Sequence, residues 1–323
     1  MVTRRKFLAS SALAAAGLGL AACRDAAHAE SGQTRPGPSQ SNAASEPAGQ
    51  LKTRVIPSSG ERLPVIGMGT SGSFQVGDSA AERDPLRDVL RAFAAAGATV
   101  IDTAPTYGGA EPVLGALLAE QALTARMWLA TKLSGVNGRE AGLAQFAQSL
   151  RDLRTDQVAL LQVHNLGDLN TQLAVARELK DQGRTRYVGM THYVEGAQPE
   201  LARVMREHKP DFVQINYSVS ARGAEREVLP LAQDLGIAVI INRAFDDGKV
   251  FARVKDMPLP GWAAEAGIDS WAQALLKFAL SHPAVTVVIP ATSKLRHQRD
   301  NLRAGLGADL TQAQRQSLIA LLA

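Results

Sequence analysis

Four polar side chains stand at intervals that invite a joint role. Tyr107 follows Asp102 by five residues, Lys132 follows Asp102 by 30, and His164 follows Lys132 by 32. A carboxylate, a phenol, an ammonium and an imidazole are the ingredients of acid–base chemistry. A free tyrosine has a pKa of about 10, and a nearby ammonium favours its phenolate. In such a set Tyr107 would pass a proton, Lys132 would lower the tyrosine pKa, and Asp102 would keep Lys132 charged and aimed. His164 would hydrogen-bond a polar atom of the substrate. Taken singly, each residue has a plainer use. Asp102 suits a helix N-cap, Tyr107 could pack over the Gly108-Gly109 turn, Lys132 could be solvated, and His164 could be a core imidazole. Only a shared location favours chemistry.

The surrounding elements supply that location. Short, nearly continuous apolar runs over 65–68, 99–102, 128–131, 158–163, 187–190, 212–215, 238–241 and 285–289 alternate with helical patterns such as 85–96, 141–153 and 171–182. Continuous apolar runs suit parallel strands buried on both faces. Eight strand–helix units in about 250 residues fit an α/β fold closed as a (β/α)8 TIM barrel. No Gly-x-Gly-x-x-Gly follows the first strand, as a doubly wound dinucleotide fold would have it. Steps of one unit place Asp102, Lys132 and His164 at one height at strand ends, with Tyr107 in the adjoining loop. That is the face where the loops of a barrel converge. Ahead of it, Arg54-Val55-Ile56 and Arg62-Leu63 flank a polar turn and predict a short hairpin. Thr311 and Gln314 have capping-box spacing before a last helix. With the chain ending at Ala323, no long C-terminal loop is expected over the mouth, which suits a bulky substrate. Loops 71–78, 135–139 and 246–261 would set specificity.

Composition narrows the partners. The 323 residues are 46% hydrophobic, enough for one large core. There are 35 basic and 31 acidic residues, and Arg4, Arg5 and Lys6 lie near the start, so 35 less 3 leaves 32 bases against those acids. Such a balance gives no basic face for nucleic acid. One cysteine excludes an intrachain disulfide and a Cys-based zinc site. Thr3-Arg4-Arg5-Lys6-Phe7-Leu8 leads into an Ala/Gly-rich stretch ending at Ala22, too short and too weakly apolar for a membrane span. The paired arginines resemble a twin-arginine signal, used for folded export. Leu20-Ala21-Ala22-Cys23 resembles a lipobox, with Cys23 lipidated; cleavage after Ala27-His28-Ala29, or retention as an anchor, are the alternatives. The expected division is a signal over 1–29, a Ser/Gly/Pro-rich tether over 30–50 and a folded domain over 51–323. The protein would be exported, periplasmic or anchored in the cell envelope, touching membrane only through Cys23.

Val100-Ile101-Asp102-Thr103-Ala104 with Tyr107, Ala130-Thr131-Lys132 and Leu160-Leu161-Gln162-Val163-His164 are followed in order by three further segments. These are Gly189-Met190-Thr191-His192-Tyr193, Val213-Gln214-Ile215-Asn216-Tyr217 and Ile289-Pro290-Ala291-Thr292-Ser293-Lys294. In this set and order the chain resembles the aldo-keto reductases from about Val55 to Asn301. The resemblance implies an enzyme that reduces aldehydes or ketones to alcohols with NADPH, the cofactor supplying hydride. Tyr107 would give the proton and His164 would orient the carbonyl. It further implies cofactor contacts at Gly69, Thr70 and Asp102, and at Thr191, His192 and Gln214 around the nicotinamide carboxamide. Asn242 and Arg243 would approach the ring or pyrophosphate. Thr292, Ser293, Lys294 and Arg296 would surround the 2′-phosphate, and Asp300 and Asn301 the adenine. Lys and Arg suit a phosphate dianion, so NADPH is expected, with NADH the alternative. His297 stands where the family usually has arginine.

Two other functions fit parts of this pattern. One keeps the fold and drops turnover, giving a cofactor-binding sensor or subunit; the intact set of four argues against it. The other is a metal-dependent barrel hydrolase with His164, His192 and Asp102 as ligands. Lys132 would repel its cation, and neither a His-x-His nor a Glu-x-x-His pair occurs at these strand ends, so no metal is expected.

Overall fold

The computed structural model describes residues 49–322. The expected signal, Cys23 and all but the last two residues of the expected tether lie outside the described residues. Leu51 is already buried, and Lys52 N donates to Gly305 O at 3.0 Å. A Cβ on Gly305 would stand 2.8 Å from Leu51 Cδ2 and 2.9 Å from Ile66 Cγ1, so the chain can pack here only against a glycine.

The predicted hairpin is present as β1 (Thr53–Val55) and β2 (Arg62–Pro64), antiparallel with Arg54 opposite Leu63. Eight parallel strands follow: β3 (Met68–Gly69), β4 (Val100–Asp102), β5 (Trp128–Leu133), β6 (Val158–His164), β7 (Thr185–His192), β8 (Phe212–Asn216), β9 (Ala238–Asn242) and β10 (Val285–Val288). They pair in chain order from β3 to β10. The sheet closes where Gly69 bridges Ala291 and Ile66 bridges Val288, with Val288 N donating to Val65 O at 3.0 Å. This is the expected (β/α)8 barrel.

Strand parity decides what fills it. Successive strand residues point to opposite faces. Val100, Trp128, Ala130, Leu160, Tyr187, Phe212, Ala238 and Ile240 form one buried cluster with Ile56 and Leu63 of the hairpin. Trp128, Tyr187 and Phe212 pack ring to ring at 5.3–6.0 Å. The Tyr187 hydroxyl donates into the hairpin turn, 2.7 Å from Ser59 Oγ and 2.6 Å from Glu61 Oε2. The hairpin thus seals one end of the barrel. The outward-facing strand residues join the helices in a second, larger cluster.

Helix α1 (Ala80–Ala95) begins one turn before the expected Pro85 and holds that proline inside it. Proline suits a first turn, because early helical N–H groups have no intrahelical acceptor; here the chain tolerates it slightly later. The terminal helix α10 (Gln312–Leu322) carries the expected capping box. Gln314 N donates to Thr311 Oγ1 at 3.2 Å and Thr311 N to Gln314 Oε1 at 2.8 Å. The long 246–261 connection is not all loop, since Lys249–Val254 is helical as α7.

Candidate active site

One step above the apolar layer, the same inward parity brings up polar side chains. Asp102 follows Val100 on β4, Lys132 follows Ala130 on β5, and Gln162 and His164 follow Leu160 on β6. Thr191 follows Gly189 on β7, Gln214 follows Phe212 on β8, and Asn242 follows Ile240 on β9. Strands β5 and β6 run further than the apolar runs indicated, so Lys132 and His164 lie inside strands. Rigid pairing therefore fixes both side chains.

Lys132 is fully buried. Its Nζ donates to Asp102 Oδ2 at 2.7 Å and to Thr103 O at 2.7 Å. The other Asp102 oxygen accepts from Gln162 Nε2 at 3.1 Å and Gln214 Nε2 at 2.7 Å. Asp102 begins no helix, so it is a buried counter-ion and not an N-cap. The Lys132 ammonium lies 5.0 Å from the centre of the Tyr107 ring, and that ring meets His164 edge-on at 6.0 Å. The structure brings all four residues together.

Electrostatics corrects one expectation. Burial raises the Tyr107 pKa above its ordinary value, and the opposing pull of Lys132 offsets this only in part. The expected net lowering is absent because the ring sits in a poorly hydrated wall. Burial also pulls the Lys132 ammonium down, yet Asp102 and Tyr107 together carry it above the usual lysine value. The His164 pKa falls to about 4, through burial first and the Lys132 charge second. At neutral pH the site holds a charged lysine, a neutral phenol and a neutral imidazole.

These groups floor a cleft of about 760 Å³, within the range of small-molecule and cofactor sites. Asp102, Tyr107, His164, Gly69, Thr70, Thr191, Gln214, Asn242, Arg243, Thr292, Ser293 and Lys294 line it. His192, Arg296, Asp300 and Asn301 do not. His192 takes the opposite parity, accepts from Val194 N at 3.1 Å and stacks on Tyr193. Asp300 is committed to the start of α8 (Trp271–Leu280), accepting from Ser270 Oγ at 2.7 Å and Gln273 Nε2 at 2.6 Å. Asn301 is buried and Arg296 exposed, while His297 reaches the cleft.

The cleft suits a nicotinamide dinucleotide. Its lining includes buried Thr191 and Gln214 with half-buried Asn242, and also half-buried Ser293 with exposed Lys294 and His297. Asn242 Nδ2 donates to Gln214 Oε1 at 3.3 Å, while its buried Oδ1 has no partner among the described residues. A buried acceptor left unpaired costs free energy, so a donor on a bound ligand fits there. At the rim, Arg243 turns out of β9 with a left-handed backbone (φ 51°) and lays its guanidinium 4.1 Å over the Tyr193 ring. Asp247 holds it at 2.8 Å.

Sequence reasoning overlooked Gln162, Tyr193, Phe251 and Ser134. Gln162 was detectable, because it shares the inward parity of His164 two residues on. Ser134 stands in the same relation to Lys132. Tyr193 ends a segment that carries the family resemblance, and Phe251 falls on the short helix within the 246–261 stretch, but periodicity singles out neither as a rim residue.

The Aldo/keto reductase family model matches residues 65–322. Methylglyoxal reductase YeaE of Escherichia coli (strain K12) is 29% identical over 271 residues, covering 82% of this chain and 93% of that protein. The structure of an aldo/keto reductase from Klebsiella pneumoniae in complex with NADPH superposes with a TM-score of 0.71 at 27% identity, over 84% of this chain and 95% of that one. An aldo-keto reductase from Bacillus halodurans, 22% identical, shares the fold with a TM-score of 0.68 over 85% and 97% of the two chains.

Proposed function

The chain belongs to the aldo/keto reductase family, and we propose that it reduces aldehyde or ketone carbonyls with NADPH, using Tyr107 as proton donor. The observation that carries this reading is the buried line from Asp102 through Lys132 to Tyr107, with His164 beside it at one cleft. A reduced nicotinamide, when bound, supplies the hydride that carbonyl carbon requires. The carbonyl oxygen takes its proton from the Tyr107 hydroxyl, and the product leaves as an alcohol.

The chain's own groups have separable tasks. Burial keeps Tyr107 protonated at rest, so the proton is in place before substrate arrives. Lys132 stabilises the phenolate left after transfer, and Asp102 holds that ammonium charged. Neutral His164 hydrogen-bonds the carbonyl oxygen and orients it. Thr191, Gln214 and Asn242 would hold the carboxamide of nicotinamide, and Ser293 and Lys294 the 2′-phosphate. Exposed Tyr193 and Phe251 at the rim favour substrates with an apolar portion. A 2-oxoaldehyde is a second class to include, given the name of the Escherichia coli relative.

The test is a screen of aldehydes, ketones and 2-oxoaldehydes with purified protein and NADPH, repeated with Tyr107→Phe. General acid catalysis is typically worth about 10²–10⁴-fold, so the variant should lose that much turnover and keep its NADPH affinity. Near-normal turnover in Tyr107→Phe would sink Tyr107 as the acid. We also propose export through residues 1–29, with Cys23 as a lipidation site.

A further inference from the structure

His164 is held from behind by a chain of hydroxyls. Its Nδ1 shares a short hydrogen bond with Ser134 Oγ, which on its other side meets Thr106 Oγ1 at 2.8 Å. Ser134 is buried, immediately after β5, and one side chain of α3 (Arg139–Leu153) clamps its backbone twice. Ser134 N donates to Gln145 Oε1 at 2.8 Å, and Gln145 Nε2 donates to Ser134 O at 2.8 Å. A serine pinned in this way presents its hydroxyl at a fixed point.

A neutral imidazole carries one proton, and the hydrogen bond at one nitrogen selects the nitrogen that bears it. If Nδ1 is protonated, Nε2 is a bare acceptor and repels a carbonyl oxygen. If Nδ1 accepts, Nε2–H is a donor. The low pKa of His164, with Lys132 opposing a second proton, keeps the ring in one of these two neutral forms.

We propose that Ser134 is a positioning residue: its hydroxyl, accepting from Thr106, donates to Nδ1 of His164 and fixes the Nε2–H tautomer toward the cleft. The direction of this chain rests on the reductase reading, in which the substrate oxygen needs donors from both Tyr107 and His164. The geometry rests on the Thr106, Ser134 and Gln145 contacts alone. Ser134 touches no reacting atom; it acts through the ring.

The test is nitrogen-15 NMR of the full chain with labelled histidine at neutral pH, His164 being assigned by its loss in His164→Asn. The expected signature is an unprotonated, hydrogen-bonded Nδ1 and a protonated Nε2; a protonated Nδ1 overturns the proposal. Losing one neutral hydrogen bond is worth about 1 kcal/mol, so Ser134→Ala should lower kcat about fivefold while NADPH affinity stays constant. It should also mix the tautomers, and Ser134→Thr should restore both signature and rate. Thr106→Val, on the exposed loop, keeps the question open to test if Ser134→Ala misfolds, and should shift the same signature less. Unchanged signature and turnover in Ser134→Ala would overturn the assignment. A chain that showed Nε2–H yet reduced no carbonyl would remove the reductase reading and leave Ser134 standing.

Discussion

The Lys132 ammonium stands 5.0 Å from the centre of the Tyr107 ring. Two of its three hydrogens go to Asp102 and Thr103, and it pulls the phenol pKa down through its charge first and through hydrogen bonding second. Lysine is not the only influence, since burial drives the tyrosine the other way and prevails. The pair works as a brake on an upward shift.

Lys132→Met should release that brake. The alkaline limb of carbonyl reduction, where phenol becomes phenolate, should move to higher pH. The Met variant also leaves a buried carboxylate facing only Gln162 and Gln214. Removing one partner of a buried pair typically costs about 3–5 kcal/mol. A pH–rate profile and a urea unfolding curve measure the two effects. Unshifted profiles with full activity would mean that Lys132 is purely structural.

His164 should make stability fall in mild acid. Burial lowers its pKa to about 4 in the fold from an ordinary 6.5. As pH drops below 6.5 the unfolded chain takes up the proton first, and the folded chain follows only near pH 4. The contribution is thus complete above pH 6.5 and lost through that window, on the order of 2–3 kcal/mol. Urea unfolding at pH 7.5 and 4.5 should show a larger loss in wild type than in His164→Asn. Equal losses would place the His164 pKa near its ordinary value.

Lys294→Ala should weaken NADPH binding and leave NADH binding nearly unchanged. The side chain is exposed, so the attraction to a 2′-phosphate is screened and worth about fivefold. Fluorescence titration with both nucleotides reads the ratio. Equal losses for the two would move the phosphate contact elsewhere, with His297 the first candidate.

Cys23→Ala should move the protein from the membrane fraction to the soluble fraction with its specific activity intact. Fractionating cells that express each form measures this. A soluble wild-type protein beginning at Glu30 would favour cleavage after Ala29.

The barrel and the four-residue set were legible because each depends on a local period repeated eight times. Strand parity and one-unit steps carry Asp102, Lys132 and His164 to one height, and this needs no knowledge of loops. The position of His192 was less accessible: the step from Thr191 flips the side chain, and only the strand's true end, at His192 itself, decides which of the two faces the cleft. Asp300 was misleading for another reason, as its partners Ser270 and Gln273 lie about 30 residues away on a different helix. The Tyr107 pKa depends on how deeply the folded chain buries the ring, which spacing does not encode.

The barrel interior is graded along its axis. Below lies an apolar plug with three interlocked aromatic rings, and above it a polar tier about one residue step thick. A strand substitution therefore changes meaning over two positions: at Ala130 it tests how the protein holds together, at Lys132 what it can do. The rim segments carrying Tyr193 and, on a short helix, Phe251 line the cleft beyond both tiers. On the reductase reading, exchange of side chains there should alter substrate range and leave the plug and the proton-handling tier as they are, so specificity would vary separately from folding.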